Sequence, residues 1–244
     1  MNIKSIQCLN GNTLKIIACV IMLIDHIGHI LLPGVQFLRI IGRLALPIFA
    51  FFIAEGCKYT KNKPKYLLNM SIFGIAMMLV QYLVTGVVLG NIMVCFALSI
   101  LIIYTLQELK KSFFSKNPNN LVQIGWLVLL LIVIAFVLFS CQFLRVDYGF
   151  FGVMVPVLVS LVDFKGLNVG KLQKLDNLYV RLFLLLLSLL ALSINLGGIQ
   201  YYCLLALPLL LLYNGERGKW NIKYYFYIFY PAHICLLWGI AFVL

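Results

Sequence analysis

The sequence predicts an all-α protein: a polytopic transmembrane helix bundle of about nine spans, with the N-terminus cytoplasmic and the C-terminus outside. Three observations carry this. Hydrophobic residues fill 64% of the 244 positions and charged residues only 11%, with mean hydropathy +1.05, whereas soluble domains average about 45–50% apolar and about 25% charged. The apolar residues form nearly continuous runs close to the roughly 20 residues that cross a bilayer. The basic residues cluster in alternate short connections between those runs, as topology signals do.

Nine runs qualify: 14–32, 37–56, 66–89, 91–107, 121–141, 148–163, 179–196, 199–213 and 225–244. They are expected to be helices, because backbone groups in lipid are satisfied only within a helix or a closed barrel, and these runs lack the alternation of barrel strands. Too little polar sequence remains for a soluble domain, so residues 1–244 are expected to form a single transmembrane domain. Lys4 and Lys15; Lys58, Lys61, Lys63 and Lys65; Lys110, Lys111 and Lys116; Lys165, Lys171, Lys174 and Arg181; and Arg217, Lys219 and Lys223 all fall on one side if nine spans cross. That side is the cytoplasm. The connections near Pro33-Gly34, Gly90-Asn91, 142–147 and Gly197-Gly198 carry almost no charge and face outward. The net charge of +12 is therefore a topology signal of a multi-pass protein of the cytoplasmic membrane, with lipid rather than nucleic acid as its surroundings. The leucine-rich run 182–192 reads as facing lipid. Seven scattered cysteines offer neither a disulfide framework nor metal-ligand spacing, so no metal is expected. No cleavage site follows the first run, which is expected to remain as a span.

The chemistry concentrates in the first two runs. Lys15, Ala18, Met22, Asp25 and His29 recur at steps of three and four, on one helical stripe. Asp25 and His29 lie one turn apart, the spacing at which a carboxylate orients an imidazole, and His26 lies beside them. Either histidine is a general-base candidate; alternatively Asp25 pairs with an arginine and locks two helices. The second run brings Arg39 and Arg43 to the same depth, one turn apart. Gly42, Ala50 and Ala54 permit close helix approach, and Pro47 opens the hydrogen-bond ladder. Arg43 suits either the charge of Asp25 or a developing oxyanion. Glu55 stands near the cytoplasmic end, as a site acid or as a solvated terminus beside Lys58.

Leu14-Lys15-Ile16-Ile17-Ala18, Met22-Leu23-Ile24-Asp25-His26-Ile27-Gly28-His29, Gly42-Arg43-Leu44-Ala45-Leu46-Pro47-Ile48-Phe49-Ala50-Phe51 and Glu55-Gly56-x-x-x-Thr60-x-Asn62 resemble the signature run of the TraX family. Its namesake acetylates the pilin N-terminus in conjugative transfer. Asp147-Tyr148-Gly149-x-x-Gly152-Val153 and Phe229-Tyr230-Pro231-Ala232-His233 extend the resemblance over nearly the whole chain. It implies a membrane acetyltransferase using acetyl-CoA as co-substrate; the pilin acceptor belongs to a subset of the family.

Joined to the residues, this gives a set of expectations. Asp25, His26, His29 and Arg43 would carry the chemistry: a histidine base oriented by Asp25, with Arg43 holding the oxyanion. The donor would contact Glu55, Tyr59, Thr60, Lys61, Asn62 and His233, the last of these being alternatively a second base. The lysines of 57–63 have a second reading, in which they set topology and touch anionic lipid. The acceptor would meet Arg39, Asp147, Tyr148, Gly149 and Tyr230, although Asp147 also reads as a helix cap. The acceptor itself is open between a protein N-terminus, a glycan and a small molecule. Two other readings stay in view: an ion- or proton-coupled transporter built on the Asp, His and Arg cluster, against which no internal two-fold repeat is visible, and a non-catalytic assembly protein.

Overall fold

The long apolar runs form helices whose starts are set by residues able to satisfy open backbone N–H groups. The computed structural model describes residues 7–220 and 223–244; Lys4 of the topology pattern lies outside them. Five asparagines begin five helices: Asn10 accepts from Thr13 N at 3.0 Å, Asn62 from Lys65 N at 3.0 Å, Asn91 from Met93 N at 3.0 Å, Asn119 from Leu121 N at 2.9 Å and Asn177 from Val180 N at 3.1 Å. This is N-capping by short polar side chains. The helices are α1 (Gly11–His26), α2 (Gln36–Gly42), α3 (Ala45–Tyr59), α4 (Lys63–Thr85), α5 (Ile92–Phe113), α6 (Asn120–Phe143), α7 (Gly149–Val159), α8 (Leu178–Leu196), α9 (Ala206–Leu211) and α10 (Lys223–Val243). Among the described residues there is no strand, only a parallel bridge between Leu9 and Tyr213.

Seven helical stretches are long and apolar enough to cross a membrane: Gly11–Leu31, Gln36–Tyr59, Lys63–Thr85, Ile92–Phe113, Asn120–Phe143, Leu178–Leu196 and Tyr224–Val243. The two remaining apolar runs form shorter helical stretches, Gly149–Val162 and Gly198–Leu211. The chain divides into two compact units, one of residues up to Phe52 with Leu189–Leu244, the other Ile53–Ser188.

In the first unit α1 continues into a π-helical turn, Ile27–Leu31, and packs on α2 and α10. Pro47 shapes the next segment. It lacks an N–H for the carbonyl of Arg43, and its ring crowds that carbonyl; accordingly α2 ends at Gly42 and α3 begins at Ala45. Two glycines let α2 approach α1. A Cβ on Gly28 would stand 2.7 Å from Leu38 Cβ, and one on Gly42 would collide with the Asp25 carboxylate. After α8, Gly197 and Gly198 turn the chain at φ 69° and 55°, conformations open to glycine at little cost. They lead into a 3-10 run of 8 residues, Gly198–Leu205, and then the 6 residues of α9. At rises of about 2.0 and about 1.5 Å per residue this arm covers about 25 Å. Its end returns to the start of α1, where Leu9 N donates to Leu212 O at 2.9 Å and Gly11 N to Glu216 O at 2.7 Å.

The second unit is built around α5, which packs against α4, α6 and α7 and buries Cys95, Ile100 and Ile103 completely. Short α7 runs beside α5 in the same direction and is tied to it at both ends. At the first, Asp147 N donates to Gly90 O at 2.8 Å; in the middle, Ser99 Oγ donates to Val153 O at 2.8 Å; at the last, Gln107 Nε2 donates to Asp163 Oδ2 at 3.2 Å. Lys110 Nζ then closes the end of α7 by donating to the carbonyls of Ser160, Leu161 and Asp163. The outer faces of α4 and α6 are apolar and exposed, including Leu83, Leu121, Leu131 and Phe139. The leucine-rich run of α8 differs from its expected lipid-facing role. Leu182, Leu185, Leu189 and Leu192 are buried while Phe183 and Leu187 are exposed, because a helix with apolar residues all round still buries one stripe.

The contact between Gly42 and Asp25 yields a test. Gly42→Ala forces a methyl group into the carboxylate and should destabilise the fold by about 1–3 kcal/mol, the usual cost of overpacking, read as a lowered Tm in detergent. Gly125→Ala on α6, where a Cβ meets nothing within 4 Å, should leave Tm unchanged or raise it.

Candidate functional site

Asp25 is the only acid in the apolar part of the first unit, and its residue is 9% exposed. A carboxylate there needs partners, and α2 supplies two from successive turns. Arg39 Nη1 lies 2.8 Å from Oδ2 and donates to the Asp25 carbonyl at 3.1 Å. Arg43 Nη2 reaches Oδ1 at 3.1 Å and Oδ2 at 3.3 Å. The helix break before Pro47 leaves Arg43 at the end of α2, where its Nε donates to Arg39 O at 3.2 Å and its Nη1 to Gln200 Oε1 at 3.4 Å. Two guanidinium groups thus share one carboxylate, and this trio carries a net positive charge.

One residue further along α1, His26 meets the last helix. His26 Nδ1 lies 2.8 Å from Met22 O and 3.1 Å from His233 Nε2, and His233 Nδ1 lies 2.7 Å from Phe229 O. A carbonyl only accepts, so each Nδ1 carries the proton. The neutral His233 then offers its Nε2 lone pair to His26 Nδ1–H. This assignment, made from the hydrogen-bond network, leaves His26 Nε2 with a lone pair. His233 is 5% exposed; the Phe229 ring stacks on it with centroids 4.8 Å apart, and Tyr230 meets both histidines edge-on at 6.3 and 5.8 Å.

The structure therefore brings Asp25, Arg39 and Arg43 together in one cluster and His26, His233 and Tyr230 in another, joined through adjacent residues of α1. It separates Asp25 from His29 as hydrogen-bond partners. His29 lies exposed in the π turn, whose wider winding moves it off the stripe it would occupy in an α-helix, and among the described residues no hydrogen bond joins it to the Asp25 carboxylate. The charge partners of Asp25 are the arginines, and the orienting partners of His26 are Met22 and His233.

The second unit holds the remaining candidates. Glu55 is neither a solvated terminus nor an isolated acid. Arg181 Nη1 binds it, Arg181 Nε donates to Asp176 Oδ1 at 3.1 Å, and Lys58 Nζ donates to both Asp176 oxygens at 2.7 Å. These two acids and two bases cancel. Tyr59 is exposed, with Lys58 and Lys165 over its ring at 5.3 and 4.4 Å. Thr60 Oγ1 donates to Asn62 O at 3.4 Å, Asn62 caps α4, and Lys61 is exposed. Lys63 pairs with Glu108 at 3.0 Å. At the start of α7 the cap position belongs to Tyr148, at φ 62° and without a side-chain cap bond, preceded by Asp147 and followed by Gly149 at φ 56°. Sequence reasoning missed Gln200, Asp176 and Arg181. Arg181, a lone arginine opening an apolar run, was the one available signal. Among the described residues, no group of three or more His, Cys, Asp or Glu is placed to hold a metal ion.

A family profile described as TraX protein matches residues 10–241. The chain is 27% identical, over 92% of its own length and 92% of the relative's, to "Probable fimbrial assembly protein FimC, serogroup H1" of Dichelobacter nodosus. It is 29% identical, over 72% of its length and 77% of the relative's, to an uncharacterized protein of Rickettsia prowazekii (strain Madrid E). No solved structure matches.

The buried quartet of the second unit should behave as one energetic unit. Glu55→Gln and Arg181→Met should each destabilise by about 3–5 kcal/mol, because each strands a buried charge. The double variant should recover part of that loss, with a coupling energy of about 0.5–3 kcal/mol in a double-mutant cycle of thermal or denaturant unfolding. Additive losses would show that the two side chains act independently.

Proposed function

The chain belongs to the TraX family, and from that premise we propose that it is a membrane acetyltransferase, moving the acetyl group of acetyl-CoA to an amine or hydroxyl acceptor. The observation that carries the reading is the setting of His26: its Nδ1 lies 2.8 Å from Met22 O and 3.1 Å from His233 Nε2, contacts that assign the proton to Nδ1 and the lone pair to Nε2, next in sequence to an arginine-rich cluster. In the proposed reaction His26 Nε2 takes the proton of the acceptor as its nitrogen or oxygen attacks the thioester carbonyl carbon. Arg43 stabilises the negative charge on the carbonyl oxygen. Collapse of the intermediate breaks the carbon–sulfur bond, and the thiolate of CoA receives the proton from His26. Asp25 and Arg39 hold Arg43 in position, and His233 positions His26. No step calls for a metal.

The setting that goes with this chemistry is the cytoplasmic membrane, with nine crossings, the N-terminus inside and the C-terminus outside. The two short stretches have fewer residues than a full span, yet α7 runs with α5 from the level of Gly90 to that of Gln107, and the arm 198–211 covers about 25 Å of a hydrocarbon core of about 30 Å. With both counted, the basic connections share one side. For the acceptor, the name of the Dichelobacter relative favours a fimbrial subunit, whose N-terminal amine is a suitable nucleophile; glycan hydroxyls and small amines fit the same base. That name also favours a second reading, an assembly protein without transfer activity.

Labelled acetyl-CoA incubated with the purified chain and cell fractions separates these. Transfer should be present, should fall by about 10²–10⁴ in His26→Gln, the usual contribution of a general base, and should change by less than about tenfold in His29→Gln. Full transfer by His26→Gln would remove the proposed base; absence of transfer by the native chain, with fimbrial assembly intact in His26→Gln cells, would leave the assembly reading.

Cysteine accessibility tests the crossings. With Cys8 and Cys235 replaced, Lys63→Cys and Asn168→Cys should react only with reagents that enter the cytoplasm, and Gln142→Cys with impermeant reagents from outside. Labelling of Asn168→Cys from outside would mean that α7 does not cross.

A further inference from the structure

Gln200 is 3% exposed and lies in the 3-10 part of the arm, where eight successive residues hold a winding that rarely persists beyond three or four. Its backbone is fixed on both sides: Gln200 N donates to Gly197 O at 3.2 Å, and Ser193 Oγ donates to Gln200 O at 3.4 Å. The side chain meets Arg43 through Oε1. That orientation is forced, because a guanidinium offers only donors and the amide must turn its oxygen towards it. Nε2 is therefore the other branch of the amide, buried and with no nitrogen or oxygen acceptor. The Cys203 sulfur, a weak acceptor, stands beside the Gln200 side chain and also meets Ser193 Oγ at 3.5 Å. Buried amide donors are normally satisfied. One left with no more than a thiol sulfur beside it, and coupled to the arginine of the proposed site, marks where a ligand acceptor atom belongs.

We propose that Gln200 is a second oxyanion donor. Its Nε2–H, set beside Arg43 by the Oε1 contact, hydrogen-bonds the carbonyl oxygen of an acyl thioester as that oxygen gains charge. The inference rests on the acetyl-transfer reading and extends its chemistry. When the nucleophile bonds to the carbonyl carbon, the carbonyl π pair moves onto oxygen, where Nε2–H and the Arg43 guanidinium receive it. When the carbon–sulfur bond breaks, the pair returns to re-form the double bond. Gln200 gives up no proton in either step.

Two substitutions separate donation from simple support of Arg43. Gln200→Glu keeps an oxygen for Arg43 and the shape of the side chain but has no N–H. Gln200→Met removes both functions at similar length. On the full chain in detergent, both should lower kcat by about 10²–10³, the loss typical of removing one oxyanion donor. KM for acetyl-CoA and the affinity for S-ethyl-CoA, a thioether without the carbonyl oxygen, should stay within about threefold. Native kcat in Gln200→Glu would overturn the proposal, since Gln200 would then serve only to hold Arg43. So would an S-ethyl-CoA affinity that falls in step with kcat, the mark of a collapsed site. If Gln200→Met fails to fold, Gln200→Glu alone decides. A native chain that neither binds nor turns over acetyl-CoA would refute the transferase reading and this inference together. An active native chain with fully active variants would refute only the role of Gln200.

Discussion

The sharing of Asp25 between Arg39 and Arg43 is the interaction on which the first unit depends. A carboxylate in an apolar helix is tolerable only with partners, and two arginines on successive turns of α2 give it more positive charge than it can cancel. Geometry elsewhere follows from making room for that contact. Gly42 has no side chain because the carboxylate occupies its place, Gly28 has none because Leu38 does, and Pro47 breaks the helix where Arg43 must reach both Asp25 and Gln200. The same packing fixes the rotation of α1, and that rotation turns His26 towards α10.

The two charge clusters differ in their charge balance. In the second unit Glu55, Asp176, Lys58 and Arg181 balance charge for charge, so an added anion would gain little and would have to break existing pairs. Such a quartet fixes helices. In the first unit the balance is one acid to two arginines, with a buried amide donor alongside. The acceptor atom of the proposed reaction, carrying partial negative charge, would meet a net positive cluster here. The sequence made the two clusters look alike, each an acid near basic residues; charge count and hydrogen-bond satisfaction distinguish them.

What the sequence could reveal was whatever depends on local spacing. Apolar runs read as helices, the depth of Arg39 and Arg43 matched that of Asp25, and Pro47 announced a break. The pairing of Asp25 with His29 was also read from local spacing, and it failed because one π turn after His26 changes the winding. No composition signal distinguishes π from α winding over five residues such as Ile27–Leu31. Glu55 stayed open between a site acid and a solvated terminus because its partner Arg181 lies 126 residues away. Gln200 gave no signal at all, since a single glutamine in an apolar run has no periodicity to betray it. Asn62, expected at the donor, has its side-chain oxygen at the start of α4, where it accepts from Lys65 N.

Those long separations also bear on how the site comes into being. The link between His26 and His233 spans 207 positions and that between Arg43 and Gln200 spans 157. Helices α1 and α2 can pair as soon as they enter the membrane, since Asp25 and Arg43 are only 18 positions apart. Until α10 arrives, however, His26 Nδ1 has Met22 O alone to fix its ring, and until the arm folds back Arg43 lacks its contact with Gln200. The carboxylate thus gains its arginine partners early, when stranded charge would be most costly, while the proposed base and its supporting amide are completed only by the last quarter of the chain. The charge cluster is secured by local contacts and the orientation of His26 by a distant one, so a partly inserted chain holds the cluster without the oriented histidine.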